Sequence, residues 1–117
     1  MKGRGDRHVR VAERIREEIS LILQNRVKDP GAGRITVTDV TVTPDLRMAR
    51  VFYSVLGPAE QQAATQAALE SAAPRLSRAI GSSIRMKYTP TLRFEVDQAI
   101  EYGVRISQKL RELDEEE

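Results

Sequence analysis

The sequence predicts an α+β fold in which helices cover one face of a three-stranded sheet. An amphipathic helical pattern opens the chain, and two segments rich in β-branched residues follow it around a turn signal. A long helical pattern then separates this pair from a third strand-like segment. Because a helical crossover between strands of one sheet is right-handed, we expect the third strand to lie parallel to one of the first two.

The first helix is predicted to begin after a short basic lead, residues 1–6, and to end at Pro30 and Gly31, which stop helical propagation. Its apolar stripe comprises Val11, Ile15, Ile19, Ile22 and Leu23. A basic row near the helix start comprises Arg7, Arg10 and Arg14. The helix macrodipole disfavours cations at this end, so the row favours a ligand contact over a purely structural role.

An antiparallel hairpin is predicted for residues 34–43 and 48–56, with a turn between them. The apolar alternation of the first strand changes phase near Thr38 and Asp39, and a β-bulge there would reconcile its two halves. Proline and aspartate in residues 43–47 are typical of turns. The returning strand places Ala49, Val51, Tyr53 and Val55 on one face.

The long helical pattern follows Pro58 and carries a second proline, Pro74, in its interior. An interior proline removes a backbone hydrogen bond and clashes with the carbonyl four residues back, here that of Glu70. We therefore predict two helices that meet at an angle, with exposed amides at the second helix start as a seat for phosphate. The predicted kink comprises Ala72, Ala73 and Pro74.

A basic window lies between Glu70 and Glu95, where the chain has five basic residues and no acidic one. Residues at helical spacing here fall opposite the apolar stripe. This basic arc comprises Arg75, Arg78, Ser82 and Arg85, and Lys87 follows it. Two interpretations stay open from the window alone: an anion-binding face, or a solvated charged face beside a helix end.

The third strand is predicted at residues 91–96, where apolar and charged side chains alternate. This pattern places Phe94 in the core. Asp97 can cap a last helix that carries Ile100, Val104 and Leu110.

The amino-acid composition excludes some classes of protein and favours others. The chain has no cysteine, which excludes disulfides and thiol chemistry, and no apolar run reaches the ~18 residues that a membrane span needs. We expect a cytoplasmic protein with one domain at 7–111, a flexible lead at 1–6 and an acidic tail at 112–117. Residues 1–111 hold 19 basic and 12 acidic side chains, so the body of the chain favours a polyanionic partner.

Signals of catalysis are weak. The single histidine, His8, can supply neither a triad nor a zinc site, and no glycine loop of a nucleotide-binding type occurs. We therefore expect no catalytic residue, no metal and no cofactor. Nucleic-acid binding has better support, and the scarcity of aromatic residues indicates that affinity comes from phosphate contacts and shape.

A family resemblance is carried by several spaced motifs. These are Ile22-Leu23-Gln24 through Lys28-Asp29-Pro30, Val37-Thr38-Asp39-Val40, Asp45-Leu46, Ala49-Arg50-Val51, Arg85-Met86-Lys87-Tyr88-Thr89-Pro90 and Leu92-Arg93-Phe94. In this order they resemble the bacterial ribosome-binding factor A family. The resemblance implies a single KH-like domain of type II topology, α-β-β-α-kink-α-β with a C-terminal helix. It also implies an assembly factor that binds the small ribosomal subunit and assists late 30S maturation and 16S rRNA 5′-end processing, especially in the cold.

In that family an Ala-x-Gly kink separates the two central helices, and Ala72, Ala73 and Pro74 match its three places. This chain departs from the family at Pro74, because proline cannot take the positive φ values that glycine allows.

The leading hypothesis is a monomeric, non-catalytic factor that binds 16S rRNA and the 30S subunit, with no membrane and no small-molecule substrate. Its expected RNA-binding residues are Arg7, Arg10, Arg14, Arg75, Arg78, Ser82, Arg85 and Lys87. The alternative is a protein-interaction module that docks an acidic ribosomal protein or another assembly factor. A nuclease acting on precursor RNA is the third hypothesis.

Overall fold

Two helices and three strands make up the part of the chain that the computed structural model describes, residues 7–26, 34–99, 110, 111 and 113. In chain order they are α1 (Arg7–Arg26), β1 (Arg34–Val42), β2 (Met48–Leu56), α2 (Ala59–Ile84) and β3 (Thr91–Val96). The predicted α+β class is confirmed. The basic lead at 1–6, most of the predicted C-terminal helix and most of the acidic tail lie outside the described residues.

The sheet is mixed and has β2 at its centre. β1 pairs antiparallel with β2, from Arg34 opposite Leu56 to Val42 opposite Ala49. β3 pairs parallel with β2, beginning with Thr91 beside Met48. The parallel third strand confirms the prediction, since a helical crossover returns the chain to the same end of the sheet.

The predicted bulge in β1 is present, because the register with β2 shifts between Val37 and Asp39. The extra residue keeps Val40 on the buried face in spite of the phase change in the sequence. Thr38 lies at this irregularity, and its hydroxyl donates a hydrogen bond to Asp97 Oδ2 at 2.5 Å. The bulge therefore connects β1 to the end of β3 across the central strand.

The core lies on one face of the sheet. Fully buried side chains of α1, β2 and α2 include Ile15, Ile19, Val51, Leu69 and Ile80, each no more than 2% exposed. α1 packs mainly against β1 and α2 against β3, and the two helices contact each other. Because both helices cover the same face, the sides of α1 and α2 opposite the core point away from the sheet.

Polar contacts inside the core hold α2 to the sheet. The hydroxyl of buried Tyr53 donates to Gln66 Oε1, and Gln66 Nε2 donates to the Phe94 carbonyl at 2.9 Å. Near the other end of α2, the buried Ser77 hydroxyl donates to the Pro90 carbonyl. These bonds satisfy groups that would be costly to bury unpaired, and they determine where the chain leaves α2 and enters β3.

The predicted division of the long helix at Pro74 is wrong. α2 is one helix of 26 residues that includes Ala72, Ala73 and Pro74, so no second helix begins beside Arg75 and offers its amides to phosphate. Pro74 and Glu70 both lie at exposed positions, where water can bond the carbonyl that loses its partner. Apolar residues before and after the proline pack on the same core and keep the helix continuous.

Replacing Pro74 should therefore stabilise the protein. Pro74→Ala restores a helical N–H donor, and we expect the free energy of unfolding to rise by about 1–3 kcal/mol. Urea denaturation followed by circular dichroism measures this change. Pro58→Ala is the matched control, because Pro58 caps α2 without interrupting helical hydrogen bonds, and its effect should stay below about 1 kcal/mol. A loss of stability in Pro74→Ala would contradict the interpretation.

Candidate nucleic-acid interface

The basic arc on α2 lies on the side of the helix away from the core. Arg75, Arg78 and Ser82 are exposed, whereas Leu76 and Ile80 on the opposite side are buried. The described residues form one ion pair, between Arg50 and Glu95. No described carboxylate therefore neutralises Arg75 or Arg78. The arc can therefore offer unpaired guanidinium groups to an anion.

The basic row on α1 is also exposed, at Arg7, Arg10 and Arg14. Arg7 lines a cavity that Arg85 and Lys87 also line, which brings residues of α1 together with the end of the basic arc. The described lining of this cavity does not include Arg10 or Arg14. The structure thus brings together three of the expected residues at one place and leaves the others along the outer sides of the helices.

The chain leaves α2 through a left-handed residue that is not glycine. Arg85 has φ 58° and ψ 50°, and its N–H donates to the Gly81 carbonyl. Met86 N–H donates to the same carbonyl at 3.1 Å, as expected where a left-handed residue ends a helix. A Cβ at Gly81 would lie 3.0 Å from Thr89 Oγ1, so the segment after the helix folds closely back on it.

The turn between β1 and β2 is held by Asp45. Its Oδ1 accepts hydrogen bonds from the Thr43 hydroxyl at 2.7 Å and from the Arg47 N–H at 3.1 Å. These bonds lower the pKa of Asp45 below its ordinary 3.8, and the bond from Thr43 has the largest effect. The bonds stabilise the turn fully when the pH is above the ordinary pKa of aspartate. This stabilisation is lost as the pH falls through the lowered pKa of Asp45 in the folded protein. The Arg47 carbonyl in turn accepts from Thr91 N–H at 2.8 Å, which attaches the turn to the start of β3.

A cavity of about 390 Å³ lies where the start of α1, the β1–β2 turn and the segment after α2 meet, and we name it the corner cavity. Its apolar lining comprises Val11, Leu46, Ile84 and Met86. Its basic lining comprises Arg7, Arg85 and Lys87, with Asp45 as the acidic side chain and Tyr88 as the aromatic one. The cavity therefore combines apolar walls with a predominantly basic rim.

Sequence reasoning missed Tyr88 and Arg47. The Arg47 Cζ lies 4.3 Å from the centre of the Tyr88 ring, and the Lys87 Nζ lies 5.5 Å from it. Tyr88 is 49% exposed. An aromatic residue next to a lysine, in a segment that ends a basic window, was a signal for Tyr88. No such signal existed for Arg47, because only the register of β3 with β2 places it beside the ring.

The face of the sheet that α1 and α2 leave uncovered, which we call the open face, has a different electrostatic character. The Arg50 guanidinium bonds both carboxylate oxygens of Glu95, at 2.6 and 3.0 Å. The hydrogen bond raises the pKa of Arg50 and lowers that of Glu95. Arg50 also lies over the Phe52 ring, 5.3 Å from its centre. This pairing neutralises Arg50, so the open face is a weaker site for polyanions than the exposed side of α2.

Two other classes of site, a metal-binding cluster and a membrane-spanning helix, are absent from the described residues. No group of three or more His, Cys, Asp or Glu side chains there is arranged to hold a metal ion. No helix in that part of the chain is long and apolar enough to cross a membrane.

Comparisons with known proteins agree with one another. A family model described as ribosome-binding factor A matches residues 7–110. Ribosome-binding factor A of Geobacter sulfurreducens is 44% identical over 111 residues, which cover 95% of this chain and 94% of that protein. The counterpart from Brevibacillus brevis is 42% identical over 107 residues, with 92% of this chain and 88% of that protein covered.

Solved structures show the same fold. The crystal structure of ribosome-binding factor A from Thermus thermophilus matches with a TM-score of 0.66 at 22% identity, over 76% of this chain and 94% of that one. A homology model of the Thermus thermophilus factor, fitted into a cryo-EM map of a 30S complex, matches with a TM-score of 0.63 at 24% identity. The match covers 74% of this chain and 91% of that one.

The left-handed Arg85 yields a prediction that separates binding from stability. Arg85→Gly removes the guanidinium and also relieves the strain of a side chain at positive φ. We expect unchanged or higher stability, by up to about 1 kcal/mol, together with weaker binding of single-stranded RNA. Arg85→Ala is the matched control, which should weaken binding equally without the gain in stability. Thermal unfolding and fluorescence anisotropy measure the two effects, and full RNA affinity in both variants would remove Arg85 from the interface.

Proposed function

Because the chain belongs to the ribosome-binding factor A family, we propose that it is a non-catalytic assembly factor that binds free 30S subunits. It assists late 30S maturation and the processing of the 16S rRNA 5′ end. We further propose a cytoplasmic monomer whose residues 7–111 form one KH-like domain of type II topology. The order of helices and strands and the mixed sheet support this assignment.

The observation that carries the RNA-binding part of the proposal is the unpaired basic arc. Arg75 and Arg78 are exposed on the outer side of α2, and no described carboxylate pairs with them. Phosphate groups of RNA are the abundant anions of a ribosomal subunit, and each one neutralised releases counterions. Affinity would therefore come from side-chain contacts to the RNA backbone, with little need for base recognition along the arc.

The mechanism we propose is selection among RNA conformations. Arg75, Arg78 and Arg85, together with Lys87 and the α1 row, hold phosphates at positions that one local fold of immature 16S rRNA presents. The factor then stabilises that fold by its differential affinity. Since α2 continues through Pro74, the contacts depend on these side chains rather than on amides at a helix start.

Salt dependence provides a quantitative test of this mechanism. If about five phosphates are neutralised on single-stranded RNA, log affinity should fall with log salt with a slope of about −3 to −4. Removing two contacts in Arg75→Ala/Arg78→Ala should reduce the magnitude of that slope by roughly 1.4 and leave thermal stability nearly unchanged. Fluorescence anisotropy with protein-free 16S rRNA fragments measures the slope.

Arg16→Ala/Arg93→Ala is the matched control, because it removes the same charge from exposed positions on α1 and on the open sheet face. We expect it to change the slope less than the arc variant does. Equal effects would mean that net charge alone governs binding. A slope near zero in the wild type would exclude the electrostatic mechanism.

Sedimentation tests the proposed partner. The wild-type chain should travel with free 30S subunits and not with whole ribosomes, and Arg75→Ala/Arg78→Ala should remain in the unbound fractions. If the wild type binds subunits but not protein-free rRNA, docking on an acidic ribosomal protein becomes the better account. Co-migration with whole ribosomes alone would contradict the proposed function.

A further inference from the structure

We propose that the corner cavity receives one unpaired nucleobase of the bound RNA, which stacks on the Tyr88 ring while the adjoining phosphates bind Arg7, Arg85 and Lys87. This inference rests on the proposed RNA-binding function. It goes beyond that function by adding a base-binding site to the phosphate contacts of the basic arc.

The dimensions and walls of the cavity fit a base. Its volume of about 390 Å³ lies within the range of small-ligand pockets, and its walls carry the apolar side chains of Val11, Leu46, Ile84 and Met86. A nucleobase has two apolar faces and a polar edge. Burial of the faces against these walls is favourable because it removes apolar surface from water.

Tyr88 has the properties of a stacking platform. It is 49% exposed, and its hydroxyl forms no hydrogen bond with the described residues, so the core does not hold the ring. The Arg47 guanidinium lies 4.3 Å from the ring centre and holds it in place. Lys87 lies farther away, at 5.5 Å, on a flexible side chain that can turn to a phosphate. Unpaired RNA bases are commonly bound by such rings and guanidinium planes.

The charges around the cavity favour a neutral base inside it and the charged phosphates at its rim. Among the described residues, three cationic side chains line it against one carboxylate, that of Asp45. Asp45 Oδ1 accepts from the Thr43 hydroxyl and from the Arg47 N–H, and the carboxylate as a whole is exposed. A carboxylate repels phosphate but accepts the N–H groups of a base edge. The base therefore belongs inside the cavity and the phosphates at its basic rim.

The position of the cavity supports an RNA ligand over a peptide. Arg85 belongs both to the basic arc and to the cavity lining, so a nucleic-acid backbone that follows the arc along α2 reaches the rim. A docked apolar side chain of a protein would satisfy the apolar walls, but unlike an RNA segment it would bring no adjoining phosphates to the basic rim.

Two single-stranded probes of equal charge test the inference. One is a fluorescein-labelled uridine 12-mer RNA, and the other is the same ribose-phosphate backbone with abasic sites throughout. We expect the wild-type chain to bind the uridine probe about tenfold more tightly in anisotropy titrations, because only that probe can stack. Tyr88→Ala should bind both probes with the same affinity. Equal binding of both probes by the wild type would overturn the inference.

Two further variants separate stacking from packing. Tyr88→Phe keeps the ring and should retain the preference for uridine, whereas Tyr88→Leu keeps apolar bulk without a ring and should lose it. Retention of the preference in Tyr88→Leu would show that the ring is not the platform. Thermal unfolding of each variant is measured alongside, and a preference lost in a folded Tyr88→Leu supports the inference.

Tyrosine emission gives an independent readout, because the chain has no tryptophan. A base stacked on Tyr88 should quench tyrosine fluorescence in the wild type when the unlabelled uridine probe is added, and the abasic probe should not. The quenching should disappear in Tyr88→Phe although its affinity is retained. Quenching that persists in Tyr88→Phe would place the stacked base elsewhere.

The arc variant distinguishes failure of this inference from failure of the proposed function. Arg75→Ala/Arg78→Ala should weaken both probes equally and leave their ratio near ten. A wild type that binds both probes equally, with this weakening intact, overturns the base site and leaves phosphate binding by the arc. A wild type that binds neither probe contradicts both proposals.

Discussion

The parallel pairing of β3 with β2 is the constraint on which the candidate site depends. It requires a crossover, and α2 supplies it by returning the chain to the end of the sheet where β2 began. Thr91 N–H then bonds the Arg47 carbonyl, so the segment after α2 lies against the β1–β2 turn. Because α1 covers the same face of the sheet, its first residue, Arg7, reaches the same corner. One pairing thus assembles a cavity from three distant segments.

Two residues in and after α2 break local rules, and the surrounding structure compensates differently for each. Pro74 removes a hydrogen bond within the helix, but it lies at an exposed position between anchored turns, so the helix remains continuous. Arg85 takes a left-handed conformation that glycine would adopt with less strain. That strain accompanies a guanidinium at the rim of the corner cavity. Strained conformations of this kind persist where the surrounding structure holds them in place.

The two sides of the molecule use arginine in different ways. On the open sheet face Arg50 is paired with Glu95 in a bidentate arrangement, and each group shifts the pKa of the other toward the charged form. On the outer side of α2, Arg75 and Arg78 have no such partner among the described residues. Only unpaired cations keep their full attraction for phosphate. The placement of carboxylates, more than the number of arginines, therefore distinguishes the candidate interface from the rest of the surface.

Periodicity along the chain was enough to determine the bounds of β2 and β3, the burial of Phe94, the bulge near Thr38 and the exposure of the basic arc. Each of these follows from the angle or alternation that neighbouring residues adopt within one helix or strand, so local spacing suffices. Tertiary structure decided the rest. Core packing on both sides of Pro74 kept α2 whole where local rules predicted a break, and strand register brought Arg47 beside Tyr88. Spacing in sequence sets directions within one helix or strand, and the helical crossover favours a parallel third strand. Which side chains meet between segments, such as Arg47 and Tyr88, depends on how those segments pack in three dimensions, and spacing along one segment does not determine it.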